Sequence, residues 1–260
     1  MGIEAEANFV GHMRWDDVAH RLARGAAALL PIGAGAKQHG LHLPLDTDRI
    51  QAEFVAARLA ERIDALVWPT LTYGHYPAFT EYAGSISLSA ATFETLVAEV
   101  AAGILSHGCR ALFVIDTGIS TRAAVGRALA RLDPGKALHL MVHDGPRYRR
   151  ASAALARQGH GSHADELETS LMLAMAPAVV DISRAEASPP LAQAVPGRLT
   201  PTDAASPNYS RSGSFGDPTL ATLEKGKTLL AAMQDDLAEQ ANSFLAQLSD
   251  AGSRARGAAS

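Results

Sequence analysis

The sequence predicts an α/β protein of three layers, with a mainly parallel central sheet between two layers of helices. Two observations carry this. Short apolar runs at 27–33, 65–71, 110–116 and 137–143 have strand length and composition, and longer stretches of helical periodicity separate them. Strands joined through helices run parallel with right-handed crossovers, so the helices must cover both faces of the sheet. Ligands of such folds bind beyond the carboxyl ends of the strands, which draws attention to the loops after Gly33, Leu71, Asp116 and His143.

Taken in order, strand 27–33 leads through a polar loop to a helix over 48–63, rich in Ala, Glu and Arg. The strand at 65–71 is followed by an aromatic loop and a helix over 90–107, with Ser89 as its N-cap. The strand at 110–116 precedes a helix over 121–132, whose apolar positions recur three or four apart. After the strand at 137–143, a further helix is expected to begin near Ala164. The stretch 183–217 holds five of the 13 prolines and reads as a long loop. A last helix is expected from about 219 to 247. One domain over 1–250 and a disordered tail over 251–260 complete the expectation.

Composition narrows the function classes. The 260 residues carry a net charge of -4, are 47% hydrophobic and 19% charged, and so present no polycationic character for binding nucleic acid. No apolar run approaches the ~20 residues that a membrane helix needs, and residues 1–15 lack the basic start and long apolar core of a secretory leader. The one cysteine, Cys109, precedes ALFVI and reads as a buried thiol of a reducing compartment. A cytoplasmic protein with a small-molecule substrate is expected.

Four segments could carry chemistry. The first is KQHGLHLPLDTD at 37–48, where His39, His42, Asp46 and Asp48 fall within ten residues, a donor set that suits zinc or manganese. Asp48 followed by Gln51 is equally an N-cap arrangement. The second is YGHYPAFTEYAGSISLS at 73–89, which supplies His75, Tyr76, Phe79, Glu81 and Tyr82 as pocket wall or as cover for the sheet edge. The third, IDTGISTR at 115–122, sets Thr117, Gly118 and Ser120 before a helix, where they either hold an anion or cap that helix. The fourth is GHGSHADELETSLML at 159–173. There Asp165 and Glu168 share a helical face, and His163, with its near-neutral intrinsic pKa, is placed to shuttle a proton.

Together these segments resemble the creatininase family of metal-dependent amidohydrolases. PIGAGAKQHGLHLPLDTD is similar to the family's strand, Gly turn, EQHGPHLPL and TD pair. AGSISL at 83–88 is similar to its Pro-Gly-Thr-x-Ser-Leu segment, HADELETSLML at 163–173 to its HAGxxETSLML helix, and FGDPTLATLEKG at 215–226 is of the same type. The resemblance implies a creatininase-like α/β fold, a homo-oligomer of hexamer type, and a hydrolase of C–N bonds in non-peptide amides or lactams of small polar molecules. It also implies a site of two metals on a Glu, two His, a bridging Asp and a second Glu.

The chain departs from that set. His39 and Asp48 match one histidine and the bridging aspartate, but the first glutamate falls on Lys37, and Gly118 and Ser120 stand where the NGHxxN loop supplies further ligands. An ammonium ~4 Å from a divalent ion is repelled by roughly 8 kcal/mol at an effective dielectric of about 20. At most one metal is therefore expected, on His39 and Asp48, or none. His163, Glu168 and Lys37 are the expected catalytic residues, and His75, Tyr76, Glu81, Thr117, Gly118 and Ser120 the expected substrate contacts. Two alternatives stand beside this hydrolase: a metal-free lyase or isomerase using Lys37, and a binding or scaffold member that keeps the fold without activity.

Overall fold

A computed structural model describes residues 8–132, 135–188 and 197–258, with side chains through residue 251. Four parallel strands form the sheet: β1 (Ala27–Ile32), β2 (Ala65–Val67), β3 (Leu112–Asp116) and β4 (Ala137–Met141), in the order β2-β1-β3-β4. The register places Leu29 opposite Val67 on one side and Phe113 on the other. All four strands begin within two residues of the sequence expectation. β2 is shorter than read because Pro69, two residues past its end, has no N–H to give the ladder.

Alternation along each strand divides the core. Leu29, Phe113 and Ile115 pack against α2 (Thr47–Arg62), α6 (Glu166–Met175) and α7 (Leu223–Ala258). Leu30, Ile32, Leu112 and Val114 face α3 (Ala90–Ser106) and α4 (Arg122–Leu129). Ser89 caps α3, its side chain accepting from the Thr92 N–H as expected. Cys109 is buried.

Three features differ from the sequence expectation. α1 (Trp15–Ala23) and α5 (Pro146–Leu155) were not foreseen; each buries only one residue, so neither shows a broad apolar stripe. α6 begins at Glu166, because Asp165 turns its carboxylate onto the N–H groups of Leu167 and Glu168 and so acts as the cap. α7 starts at Leu223 and its backbone stays helical to Ala258, through most of the tail expected to lack order; residues 259–260 lie outside the described residues. The same holds for 189–196 within the Pro-rich stretch.

The sheet order sets the site. From β1 the chain moves to β2 on one side, then crosses to β3 on the other. The carboxyl ends of β1 and β3 therefore flank a topological switch point. Gly33 lies at the end of β1, where an added Cβ would run into the backbone of Asp48. The absent side chain lets the first turn of α2 cross the strand end and aim Asp48 into the crevice.

Candidate metal and acid–base site

Residues distant in sequence meet at this switch point. Lys37 Nζ lies 2.7 Å from Asp48 Oδ2, with both side chains almost wholly buried. The approach is off the hydrogen-bond direction, so Asp48 Oδ2 keeps no aligned donor. The ammonium also sits 4.8 Å from the ring centre of Phe79 and 5.6 Å from that of Tyr76, where it gains from both ring faces. Lys37 thus points into the site. Burial raises the Asp48 pKa, but Lys37 and His39 outweigh it and hold the carboxyl well below its ordinary value. Asp48 is inside α2, and the cap position belongs to Asp46, whose carboxylate pairs with Arg49.

The two histidines are held from behind. His39 Nδ1 is 2.8 Å from the Lys37 carbonyl oxygen, and His163 Nε2 is 2.8 Å from that of Gln38. A carbonyl only accepts, so each of these nitrogens carries the hydrogen. In the neutral rings the lone pairs then lie on His39 Nε2 and His163 Nδ1. The first faces Asp48 Oδ1 at 3.0 Å and Glu168 Oε1 at 3.8 Å, and the second faces Glu168 Oε2 at 3.8 Å. Facing carboxylate oxygens, these nitrogens are satisfied either by a proton, with which His39 Nε2 donates to Asp48 Oδ1, or by a metal cation.

The backbone supports this geometry. Ala164 adopts φ +46, a left-handed conformation uncommon for a residue with a side chain. Its N–H donates to Glu168 Oε2 at 2.6 Å, and Gln51 donates to Oε1 at 3.2 Å. Phe215 and His163 exchange backbone contacts, which ties the FGDPTL segment to the site. The His163 ring packs 4.5 Å from Phe79 and 4.8 Å from His39.

His163 is not poised as the sequence suggested. Burial, then Lys37 and His39, lower its pKa to about 3, away from the near-neutral range of the expected proton shuttle. A neutral ring with one N–H committed to a carbonyl is the usual state of a metal ligand. His39, His163 and Glu168 offer ligand atoms all within 4.8 Å of one another. Two imidazole nitrogens and a carboxylate suit zinc or manganese, and the carboxylates of Asp48 and Glu168 against a single Lys37 leave net negative charge to attract a cation. The donor set fits one divalent ion.

A cavity of about 1190 Å³ opens above this cluster, with Lys37, Asp48, His163 and Glu168 in its wall. Thr117, Gly118 and Ser120 line it too, but the Thr117 and Ser120 hydroxyls and the Gly118 N–H are already paired. Gly118 N–H donates to Asp116 Oδ1 at 2.9 Å, Thr117 Oγ1 to the Ile32 carbonyl at 3.2 Å and Ser120 Oγ to the His75 carbonyl at 2.7 Å. Asp116 is fully buried and also takes Thr121 and His139. The loop is thus knotted around its own aspartate, and the expected anion cradle is not formed by these groups.

The remaining expectations divide. Tyr76 is buried beneath Lys37 and outside the cavity wall, its hydroxyl without a partner and its pKa raised chiefly by burial. His75 turns its Nδ1 to the Leu88 carbonyl and Glu81 is exposed; neither belongs to the cavity wall, because the turn at Pro77–Phe79 presents Ala78 and Phe79 instead. His42 bonds Thr169 at 2.8 Å, with its pKa lowered to about 4 chiefly by burial. Sequence reasoning missed His143, Tyr148 and Arg149, which line the cavity from the end of β4 and from α5. Their only signal was the position of His143 after a strand.

Fold and site together define an α/β protein with a candidate histidine–carboxylate metal site at the switch point of a parallel sheet. The family model for creatininase, described as creatinine amidohydrolase, matches residues 11–241, and the chain belongs to that family. It is 29% identical over 250 residues to the creatinine amidohydrolase of Pseudomonas putida, covering 89% of this chain and 95% of that protein. It is 32% identical over 219 residues to the mycofactocin precursor peptide peptidase of Mycobacterium ulcerans (strain Agy99), covering 80% of this chain and 81% of that one. A solved structure described as "Creatininase Mn" superposes with a TM-score of 0.81 at 27% identity, over 92% of this chain and 98% of that chain. A mutant creatininase described as of "Zn-Zn type" superposes with a TM-score of 0.77 at 27% identity, over 91% of this chain and 98% of that chain. No described helix is long and apolar enough to cross a membrane.

Proposed function

We propose that the chain is an amidohydrolase that cleaves a C–N amide bond using a single divalent ion, zinc or manganese, held by His39, His163 and Glu168. The observation that carries this is the convergence of two imidazole lone pairs and one carboxylate, each imidazole fixed by a backbone carbonyl of adjacent residues 37 and 38. A divalent ion there supplies Lewis acidity toward the amide carbonyl and toward water.

The chain's own residues do the rest. Asp48 neutralises Lys37, so that an ammonium can stay buried at the cavity floor. Lys37, whose Asp48 contact is unaligned, offers positive charge to the amide oxygen as negative charge develops there. Lys37 thereby takes the place of a second metal ion, consistent with the loss of the family ligands at Lys37, Gly118 and Ser120. The relatives act by name on creatinine and on a precursor peptide. The reading extends to a homo-oligomer, for which the exposed Tyr73, Ile86 and Ile119 offer apolar surface.

The test is metal content with turnover. Protein supplied with zinc or manganese should retain one ion per chain, and Glu168→Gln should lose both the ion and amide hydrolysis. The inward-pointing Lys37 favours the metal-free reading as the alternative. Full activity after exhaustive chelation would establish that reading in place of ours.

A further inference from the structure

We infer that the outer part of the cavity is a carboxylate subsite built on Arg149, and that the substrate is an amide whose apolar body ends in a carboxylate, such as an N-acylated apolar amino acid. The choice of bond rests on amide hydrolysis at the cavity floor; the substrate class is what the cavity adds.

At about 1190 Å³ the cavity exceeds the roughly 300–1,000 Å³ typical of sites for drug-sized ligands. Phe79, Leu167, Leu199 and Phe215 contribute apolar surface to its wall, beside polar groups that include His160 and Asn208. That apolar surface recovers free energy only from an apolar body of matching size.

Arg149 lines this cavity from α5 and has no carboxylate within ion-pair distance among the described residues. Its neighbour two residues back, Arg147, is paired with both Asp236 and Glu239. Ser152 lies three residues further along α5, on the same helical face, and lines the cavity as well. Its Oγ is buried beside the Tyr148 phenol without an aligned hydrogen bond. An arginine fork takes a carboxylate through two parallel bonds. A phosphate dianion fits less well, because Asp165 and Glu168 share the wall.

Calorimetric titration of the full chain with 3-phenylpropanoate and with 3-phenylpropanamide tests the subsite without requiring turnover. The carboxylate should bind at least about 10-fold more tightly than the amide, a gap of about 1.4 kcal/mol. Arg149→Ala should abolish that preference and Arg149→Lys should retain part of it. Because Arg149 is exposed, neither change disturbs the core. Equal affinities, or a preference that survives Arg149→Ala but disappears on chelation, would overturn the inference. Turnover of N-acetylphenylalanine is read separately. Its absence beside an Arg149-dependent preference would overturn amide hydrolysis and leave the subsite standing.

Discussion

Lys37 Nζ meets Asp48 Oδ2 at 2.7 Å in the floor of the cavity, both groups nearly inaccessible to water. Removing one member of such a pair strands the other as a buried, uncompensated charge. Lys37→Met should therefore cost about 3 kcal/mol of stability, read as a lowered urea midpoint. Zinc or manganese should raise the melting temperature of this variant more than that of the wild type, since the freed Asp48 joins the ion's surroundings.

The loop after β3 gives a contrasting expectation. Ser120 Oγ donates to the His75 carbonyl and has no hydrogen left for substrate. Ser120→Ala should keep amide turnover within about 2-fold, whereas loss of an oxyanion donor costs roughly 10²–10³-fold. A loss of that larger size would show that the loop rearranges onto substrate.

Gly226 marks where α7 crosses α6. A Cβ there would run into the Ser170 carbonyl, beside the buried pair of Lys225 and Glu166. Gly226→Ala should force the helices apart and destabilise the fold by about 2–3 kcal/mol in chemical denaturation.

Acid stability has a local contribution at Glu94, which pairs with Arg127 and Arg131 and so clamps α3 to α4. The Arg127 hydrogen bond is the main reason its carboxyl is held below the ordinary value of 4.5. A depressed carboxyl contributes stability that is present above the unfolded pKa and lost as pH falls through the folded one. Glu94→Gln should melt lower than wild type at neutral pH, and the difference should close as pH drops below about 4. A constant difference across that range would show that the clamp adds nothing to acid stability.

How much of this was legible depended on whether a residue's role was local. Strands such as 112–116 announce themselves by apolar runs, and Ser89 by its place before a helix. The segment 37–48 was legible as a site, yet Asp48 read equally well as a cap, because only the crossing at Gly33 shows it aimed inward. Thr117, Gly118 and Ser120 read as an anion cradle because their donors are visible in sequence, while their acceptors, Asp116, the Ile32 carbonyl and the His75 carbonyl, are set by the fold. α5 hid its role because it buries one residue, and Arg149 was hidden with it. His163 read as a near-neutral base because burial and the nearness of Lys37 are tertiary facts.

The most direct test is the metal stoichiometry of the protein, combined with anomalous scattering around His39, Asp48 and His163. The predicted result is one divalent ion per chain, in contact with His39, His163 and Glu168, and lost in Glu168→Gln. Two ions per chain, or full amide turnover with none, would contradict it.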